Sequence, residues 1–304
     1  MIPDWRPGAS VASLQLRARL NSLIRQFFAQ RQVLEVETPA LCQAPVCDPN
    51  IDPIPADGRY LHTSPEYAMK RLLCAGVGDI YQLCKVFRRA EAGSRHNPEF
   101  TMLEWYRVGW HHRQLMDEVQ ALLQLLLAER VNGRLDLSYR QALQQFAGLD
   151  WLSASDEDIA KRGRALAGAD LQLERDGWLD LIMSHQVEPQ LPADKLVFIS
   201  DYPASQAALA KIRGQGQAAV AERFEVYFNG IELANGYHEL TDAAEQRQRF
   251  EQEAQGRAVD QSLLAAMSAG MPACAGVALG IDRLLMLLLD KPMDQVLSFS
   301  WDRA

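Results

Sequence analysis

Apolar residues in the N-terminal part of the chain recur every three or four positions. Between about Leu14 and Arg31 they are Leu16, Leu20, Leu23, Ile24, Phe27 and Phe28. This spacing places the apolar side chains on one face of an α-helix. The sequence therefore predicts an amphipathic helix whose apolar stripe packs against the core of the chain, against a second copy of the chain, or against both.

Two apolar, aromatic-rich runs of strand length follow later, YQLCKVF and FTMLEWYRV. A polar loop containing Gly93 and Asn97-Pro98 separates them, so the pattern predicts an antiparallel hairpin with a long loop. Arg88 lies where the first strand gives way to this loop. Glu104 and Tyr106 alternate on the return strand and therefore share one face of it. A guanidinium at this position suits a phosphate, and a carboxylate beside a phenol suits a cationic amine.

A second hairpin is predicted around Asn229-Gly230, which lies between the runs FEVYF and IELA. Asn-Gly is a strong signal for a two-residue type I′ turn. In that register Tyr227 pairs with Glu232, and Glu225 pairs with Ala234.

The same register places Glu225 and Glu232 diagonally on one face, with Cα atoms about 7 to 8 Å apart. Two carboxylates at this separation can hold a divalent ion, and Mg²⁺ prefers a few carboxylates together with phosphate oxygens. The alternative is a pair of exposed strand glutamates that are paired with arginines.

The remaining pattern is mixed. Pro45 to Asp57 holds four prolines and predicts an irregular loop, whereas Leu115 to Arg130 predicts a second helix. The region from Leu135 to Gln217 contains helical patches, a strand at Lys195 to Ser200 and a glycine-rich loop at Gly214 to Gly216. No internal repeat is visible.

The segment GVALGIDRLLML, residues 276–287, predicts a glycine-bearing strand that runs into a helix. Gly276 and Gly280 permit close backbone approach to a ligand, and Arg283 lies near the start of the helix. Alone, this pattern is also typical of tight packing. Together with the first hairpin it predicts ATP chemistry on a carboxylate.

Composition narrows the class of protein. Hydrophobic residues make up 48% of the 304 residues and charged residues 23%, as in soluble globular domains, and the net charge of -8 weakly disfavours a nucleic-acid binder. The sequence shows no apolar run of membrane-spanning length and no secretory signal. Five cysteines without a CxxC pair favour reduced thiols in a cytoplasmic protein. Cys42 and Cys47 lack a matching pair of metal ligands.

Three segments, in this order, resemble the motifs of class II aminoacyl-tRNA synthetases of the lysyl subgroup. RARLNSLIRQFFAQRQVLEVETPAL resembles motif 1 (about 14–41), Arg88 with HNPEF and MLEWY resembles motif 2 (about 86–106), and GVALGIDRLLML resembles motif 3 (about 276–289). The resemblance covers nearly the whole chain. It implies an α+β fold in which an antiparallel β-sheet flanked by helices carries the active site. It also implies one catalytic domain over residues 1–304 and a homodimer formed through motif 1.

The segments TSPEYAMKRLL, ERFEVYFNGIELANGYHELTD and FSWDRA are similar to a shorter branch of lysyl-type paralogues. Motif 1 begins within the first twenty residues, so we expect no anticodon-binding domain. This branch implies ATP-dependent activation of (R)-β-lysine as an adenylate and its transfer to a lysine of elongation factor P. The alternatives are a minimal synthetase acting on tRNA or another amine, and a non-catalytic regulatory paralogue.

The resemblance also assigns site residues. Arg88 and Arg283 are the expected catalytic residues, because they neutralise phosphate charge. The expected amino-acid pocket consists of Ser64, Glu66, Glu104, Tyr106, Asn235 and Glu239. The expected ATP-binding residues are Arg88, His96, Asn97, Phe100, Glu232, Leu233, Gly280 and Arg283, with Phe100 stacking on adenine. Mg²⁺ is expected on Glu225 and Glu232.

The sequence departs from the family pattern at two places. The synthetase motif FRxE has a glutamate where this chain has Ala90, with Glu91 next to it. Ala278 stands where lysyl-tRNA synthetases tend to have glycine, and its methyl group is consistent with a substrate other than α-lysine.

Overall fold

The computed structural model describes residues 5–48, 51–89, 93–167, 171–254 and 256–304. The helices are Val11–Ala29 (α1), Glu66–Cys74 (α2), His112–Leu127 (α3), Tyr139–Ala142 (α4), Asp156–Ala167 (α5), Arg175–Ile182 (α6), Ala243–Glu253 (α7), Gln261–Gly270 (α8), Ile281–Leu289 (α9) and Met293–Val296 (α10). The strands are Leu34–Glu35 (β1), Leu41–Cys42 (β2), Ile54–Ala56 (β3), Arg59–Leu61 (β4), Ile80–Phe87 (β5), Glu99–Val108 (β6), Arg134–Ser138 (β7), Leu196–Pro203 (β8), Ile212–Arg213 (β9), Val220–Phe228 (β10), Ile231–His238 (β11) and Cys274–Gly280 (β12).

The main sheet has the order β1-β5-β6-β12-β11-β10-β8-β7, and β9 pairs with β10. All pairings from β5 to β8 are antiparallel, which confirms the predicted α+β class and the predicted β5–β6 hairpin. The two edge strands, β1 and β7, run parallel to their neighbours. The sheet is therefore mixed. The sequence did not predict the parallel edges, because each joins segments that are far apart along the chain.

The two faces of the sheet differ in character. Leu103 and Trp105 of β6 are fully buried in the main apolar core, together with residues of α1, α3 and α9. Glu104 and Tyr106 alternate with them and point to the opposite face, where they line a cavity. Helices α1, α3 and α9 thus cover one face, and the candidate site lies on the other.

Helix α1 confirms the first prediction from the apolar pattern. It begins after Ser10, whose Oγ accepts a hydrogen bond from the Ser13 amide at 3.2 Å and so caps the helix. Ile24 and Phe28 are completely buried, and the ring of Phe28 stacks on Tyr81 with centroids 4.4 Å apart. Burial of each such side chain contributes about 1.5–3 kcal/mol. The stripe therefore packs into the core of its own chain, and a role in a dimer stays a prediction.

The predicted irregular loop from Pro45 to Asp57 is wrong at its end, because β3 lies within it. Strand β3 pairs with β4 in a small sheet of order β2-β4-β3, where it is an edge strand. Proline is tolerated on a sheet edge, so Pro55 does not prevent pairing. Residues 49 and 50 lie outside the described part.

The region from Leu135 to Gln217, called the middle region below, forms a second apolar core against β8 and β10. Tyr139, Trp178 and Ile182 are buried there with Ile199 and Tyr227. The strand predicted at Lys195 to Ser200 is β8, extended to Pro203. Within the described part of the chain, none of the helices combines the length and apolarity that a bilayer span requires.

Candidate active site

A cavity of about 1030 Å³ lies over the open face of the main sheet. All residues that the sequence assigned to the site line it: Ser64, Glu66, Arg88, His96, Asn97, Phe100, Glu104, Tyr106, Glu225, Glu232, Leu233, Asn235, Glu239, Gly280 and Arg283. They come from segments separated by more than two hundred residues. The structure thus brings the whole predicted set together, while the role of each member remains a prediction.

One end of the cavity is built around the carboxyl group of Glu104. Its two oxygens accept hydrogen bonds from Ser64 Oγ and Tyr106 Oη, each at 2.7 Å. Ser64 Oγ also accepts from the Glu66 amide at 3.0 Å, which joins the start of α2 to β6. Burial raises the pKa of Glu104 to about 8, and the charge of Glu66 adds to the effect.

Lys70 lies at the same end, and the sequence analysis did not assign it to the site. Its Nζ is 2.6 Å from Glu66 Oε1 and 2.6 Å from Glu239 Oε2. Burial alone lowers the pKa of Lys70, but the charges of Glu239 and Glu66 outweigh burial and raise it. Burial raises the pKa of Glu239 to about 7, and Lys70 opposes this rise. The i,i+4 spacing of Glu66 and Lys70 on α2 was the signal that could have found the pair.

Glu66 and Glu239 therefore face a single lysine ammonium, and Glu104 lies close enough for the charges of both glutamates to raise its pKa. Three carboxyl groups against one cation leave capacity for further positive charge. This end of the cavity is suited to a ligand that carries ammonium groups.

Gly276 is required by the side chains around it. A Cβ at this position would lie 2.3 Å from the ring of Tyr106 and 2.6 Å from Glu239 Oε1. Gly276 is thus in close contact with the protein's own side chains, and its approach to a ligand stays a prediction. At Gly280 the nearest atom to a Cβ would be Arg283 Cδ at 3.8 Å, so that side is open.

Arg283 dominates the other end of the cavity. Its Nη1 donates to the main-chain oxygen of Glu232 at 3.0 Å and lies 3.3 Å from Glu232 Oε2, and its Nη2 donates to His96 Nε2 at 2.7 Å. The guanidinium of Arg88 lies over the ring of Phe100, 5.2 Å from its centroid. The guanidinium groups of Arg88 and Arg283 thus both line the cavity.

Asp282, the neighbour of Arg283, is a buried carboxylate that connects α9 to β6 and α1, and the sequence did not predict this role. Its Oδ2 accepts from the Thr101 amide at 2.6 Å, and its Oδ1 pairs with Arg17 of α1. Arg17 also donates to the Val296 carbonyl at 3.1 Å. These contacts fix the start of α9, and hence Arg283, against β6 and α1.

The hairpin turn is as predicted, but its register is wrong at one position. Asn229 and Gly230 both have positive φ, 50° and 64°, which a type I′ turn requires. Tyr227 pairs with Glu232 as predicted, whereas Glu225 pairs with Asn235 and not with Ala234. A β-bulge beyond Tyr227 shifts the pairing by one residue.

Glu225 and Glu232 nevertheless both line the cavity, and each is paired with an arginine. Glu225 lies 2.5 Å from Arg223, and Glu232 lies 3.3 Å from Arg283. Burial raises the pKa of Glu232, and the charge of Glu225 raises it further. The alternative prediction was a pair of exposed glutamates bound to arginines. The arginine partners are present, but Glu225 is not exposed, because only 9% of its surface is accessible.

The middle region supplies lining residues that no motif indicated. Asp180 and Glu188 lie near Glu225. Burial raises the pKa of Asp180 to about 6 and that of Glu188 to about 7, and Glu225 adds to both. The end of the cavity that contains Arg283 and Glu225 therefore holds more carboxyl groups than the sequence predicted.

The loop of the first hairpin contains further predicted residues. Ala90 and Glu91, where the chain departs from FRxE, lie outside the described residues. Asn97 lines the cavity, but its Nδ2 donates to the Glu99 carbonyl at 2.7 Å and its Oδ1 accepts from the Trp301 amide at 2.9 Å. Its amide thus holds the C-terminal turn against β6.

A sheet that is antiparallel from β5 to β8, with motif arginines and paired carboxylates on its open face, is the architecture of a class II synthetase catalytic domain. Residues 3–302 match the family model described as tRNA synthetases class II (D, K and N), and the chain belongs to this family.

Among curated proteins, the chain is 48% identical over 323 residues to the elongation factor P–(R)-β-lysine ligase of Pectobacterium carotovorum subsp. carotovorum (strain PC1), and equally to that of Edwardsiella ictaluri (strain 93-146). Each alignment covers 99% of this chain and 98% of the relative. The ligase of the same name from Salmonella dublin is 48% identical over 322 residues.

Proposed function

We propose that the chain is an ATP-dependent ligase that activates (R)-β-lysine as an aminoacyl-adenylate and transfers it to the ε-amino group of a lysine of elongation factor P. The observation that carries the proposal is the division of the cavity. Glu66, Glu104 and Glu239 gather at the carboxyl end, and Arg283 lies with Glu225 and Glu232 at the arginine end, in a chain that matches ligases of that name over nearly its full length.

The carboxyl end receives the amino acid in this proposal. Its two ammonium groups pair with glutamates 66, 104 and 239, and Ser64, Tyr106 and Asn235 complete the pocket. Ala278 lies between Glu104 and Asn235, because it pairs with Glu104 on one neighbouring strand and Asn235 on the other. We expect its methyl group to select among lysine isomers.

The arginine end receives ATP. In the first step an oxygen of the amino-acid carboxylate forms a bond to the α-phosphorus, the bond from that phosphorus to the β-phosphate oxygen breaks, and pyrophosphate leaves. The two reacting groups are anions, so Arg88 and Arg283 lower the barrier by neutralising charge. No side-chain nucleophile is needed.

Glu225 and Glu232 fit Mg²⁺ by their donor chemistry, since two carboxylates share one face beside the proposed phosphate site. The ion would neutralise phosphate charge there. Phe100 provides an apolar ring for adenine, with His96, Asn97, Leu233 and Gly280 around the nucleotide.

In the second step the neutral acceptor amine forms a bond to the carbonyl carbon of the mixed anhydride, the bond from that carbon to the phosphate oxygen breaks, AMP leaves, and the new amide nitrogen loses a proton. The acceptor is a translation factor, so the enzyme would act in the cytoplasm. The dimer is proposed to form through α1.

The test is ATP–pyrophosphate exchange with purified protein, Mg²⁺ and either (R)-β-lysine or α-lysine, followed by addition of elongation factor P or tRNA. Exchange that prefers (R)-β-lysine, with label moving to elongation factor P, is the expected result. Label on tRNA would identify a minimal synthetase, and absence of exchange would identify a non-catalytic paralogue.

A further inference from the structure

A cluster of two histidines and one glutamate lies on the sheet face opposite the cavity. His112 begins α3, Glu222 is on β10 and His238 ends β11. Arg223 pairs with Tyr237 across the two strands. Glu222 directly precedes Arg223 and His238 directly follows Tyr237, so the two residues are close to each other. One ligand atom from each of the three side chains lies within 4.8 Å of the other two. None of the three is among the described residues that line the cavity.

The ring of His112 is the most informative member of this cluster. Only 4% of the residue is exposed, and neither Nδ1 nor Nε2 has a hydrogen-bond partner among the described residues. A buried polar group without a partner costs free energy, and such groups are few in native structures. The planes of the His112 and His238 rings are inclined by 27°, with centroids 6.5 Å apart. A group that accepts a nitrogen lone pair would satisfy it.

Contacts within and around the cluster determine its charge. His238 Nδ1 lies 2.5 Å from Glu222 Oε2, so these two side chains already converge. Asp201 binds Arg113 at 2.9 Å and Arg213 at 2.8 Å, which offsets part of the positive charge beside the cluster. Glu222 and His238 remain partly exposed, and an ion can reach them from solvent.

We propose that His112, Glu222 and His238 form a binding site for a divalent transition-metal ion, for which Zn²⁺ is the best match. Two imidazoles and one carboxylate are a zinc donor set, whereas Mg²⁺ and Ca²⁺ prefer oxygen ligands alone. The three side chains must draw closer to share one ion. The bound ion ties the start of α3 to the β10–β11 pair.

The site has a structural consequence for the cavity on the other face. His238 directly precedes Glu239, which holds Lys70. An ion bound at His238 therefore limits movement of the strand end that positions this carboxylate. The proposal does not depend on the proposed ligase activity, because it concerns the opposite face of the sheet.

The test uses the full chain, free of any histidine tag and stripped by a chelator that is then removed. Zinc bound per chain is measured by equilibrium dialysis and elemental analysis, and Co²⁺ binding is followed by its visible absorption. We expect one saturable Zn²⁺ per chain and a higher thermal midpoint with Zn²⁺ than without it.

Glu222→Gln is the main variant, because it keeps shape and hydrogen bonding while removing a charged ligand. It and His238→Asn should each weaken Zn²⁺ binding by at least about tenfold. His111→Asn is the matched control: this exposed histidine adjoins the cluster outside it, and asparagine still suits a helix N-cap. Unaltered zinc affinity in Glu222→Gln, or the absence of saturable binding by the unsubstituted chain, would overturn the proposal.

Discussion

Lys70 Nζ lies 2.6 Å from Glu239 Oε2, and each side chain is only 1% exposed. The pair joins helix α2 to the end of β11 within the cavity wall. Because Glu66 binds the same ammonium, the acidic pocket is partly neutralised before any ligand arrives. The lysine thus offsets the charges of Glu66 and Glu239 within one buried space.

Replacement of Lys70 by methionine should strongly destabilise the fold. The substitution leaves Glu239 and Glu66 without their buried cation, and loss of one partner of a buried ion pair costs about 3–5 kcal/mol. Urea unfolding measures the change. The control is Lys85→Met, because Lys85 pairs with Glu99 at 3.4 Å with both side chains about half exposed. That change should cost under about 1 kcal/mol, and equal losses in the two variants would contradict the importance of burial.

Alanine at the two motif 3 glycines should produce different defects. Gly276→Ala places a methyl group against Tyr106 and Glu239, and overpacking of this kind costs about 1–3 kcal/mol. Gly280→Ala meets only the Arg283 side chain, at ordinary contact distance, so stability should be unchanged. If ATP occupies the space beside Gly280, its binding should nevertheless weaken. Thermal unfolding and nucleotide titration separate the two effects, and normal ATP affinity in Gly280→Ala would remove that residue from the nucleotide site.

Removal of the methyl group at Ala278 should change substrate choice more than stability. The residue stands between Glu104 and Asn235 on adjacent strands, so Ala278→Gly enlarges the pocket there. We expect exchange with α-lysine to rise relative to (R)-β-lysine, while ATP affinity stays the same. An unchanged ratio of the two exchange rates would show that this methyl group does not contact the substrate.

The two ends of the cavity should respond separately to charge removal. Arg283→Ala removes a cation from the proposed phosphate end and should lower pyrophosphate exchange by at least about 100-fold. Glu239→Gln should weaken amino-acid binding more than ATP binding. Circular dichroism checks that both variants fold, and unchanged exchange kinetics in both would refute the assignment of the site.

The sequence predicted the parts of the fold that depend on local pattern. Helix α1 follows from its apolar spacing, and the turn at Asn229-Gly230 follows from the need for positive φ at two successive residues. The register beyond that turn did not follow, because the bulge that moves Glu225 opposite Asn235 depends on how β10 and β11 fit the whole sheet. The parallel edge strands were missed for the same reason.

In the candidate site, too, the sequence predicted the residues of local motifs but not those that only long-range packing brings together. Its arginines and carboxylates lie in motifs with recognisable spacing, so resemblance found them. Asp180 and Glu188 lie in segments without such spacing, and only the packing of the middle region against β10 brings them to the cavity. The pairing of Lys70 with Glu66 could be predicted from their i,i+4 spacing on a helix. Its contact with Glu239 could not, because the two residues are far apart in sequence.

The final prediction concerns pH. The pKa of Glu104 is raised to about 8 and that of Glu239 to about 7, so the folded protein holds protons that the unfolded chain would have lost. The contribution of these groups to stability is therefore present at low pH and is lost as pH rises through about 7 to 8. A bound ammonium group favours the ionised carboxylate and lowers its pKa.

Binding of the amino acid should accordingly release protons near pH 7 and become tighter as pH rises towards about 8. Isothermal titration calorimetry in buffers with different ionisation enthalpies measures the number released. Glu104→Gln should release fewer protons than the unsubstituted protein, because glutamine cannot ionise. Proton uptake, or a proton count that is equal in the two proteins, would mean that Glu104 is not the group that the ammonium of the substrate engages.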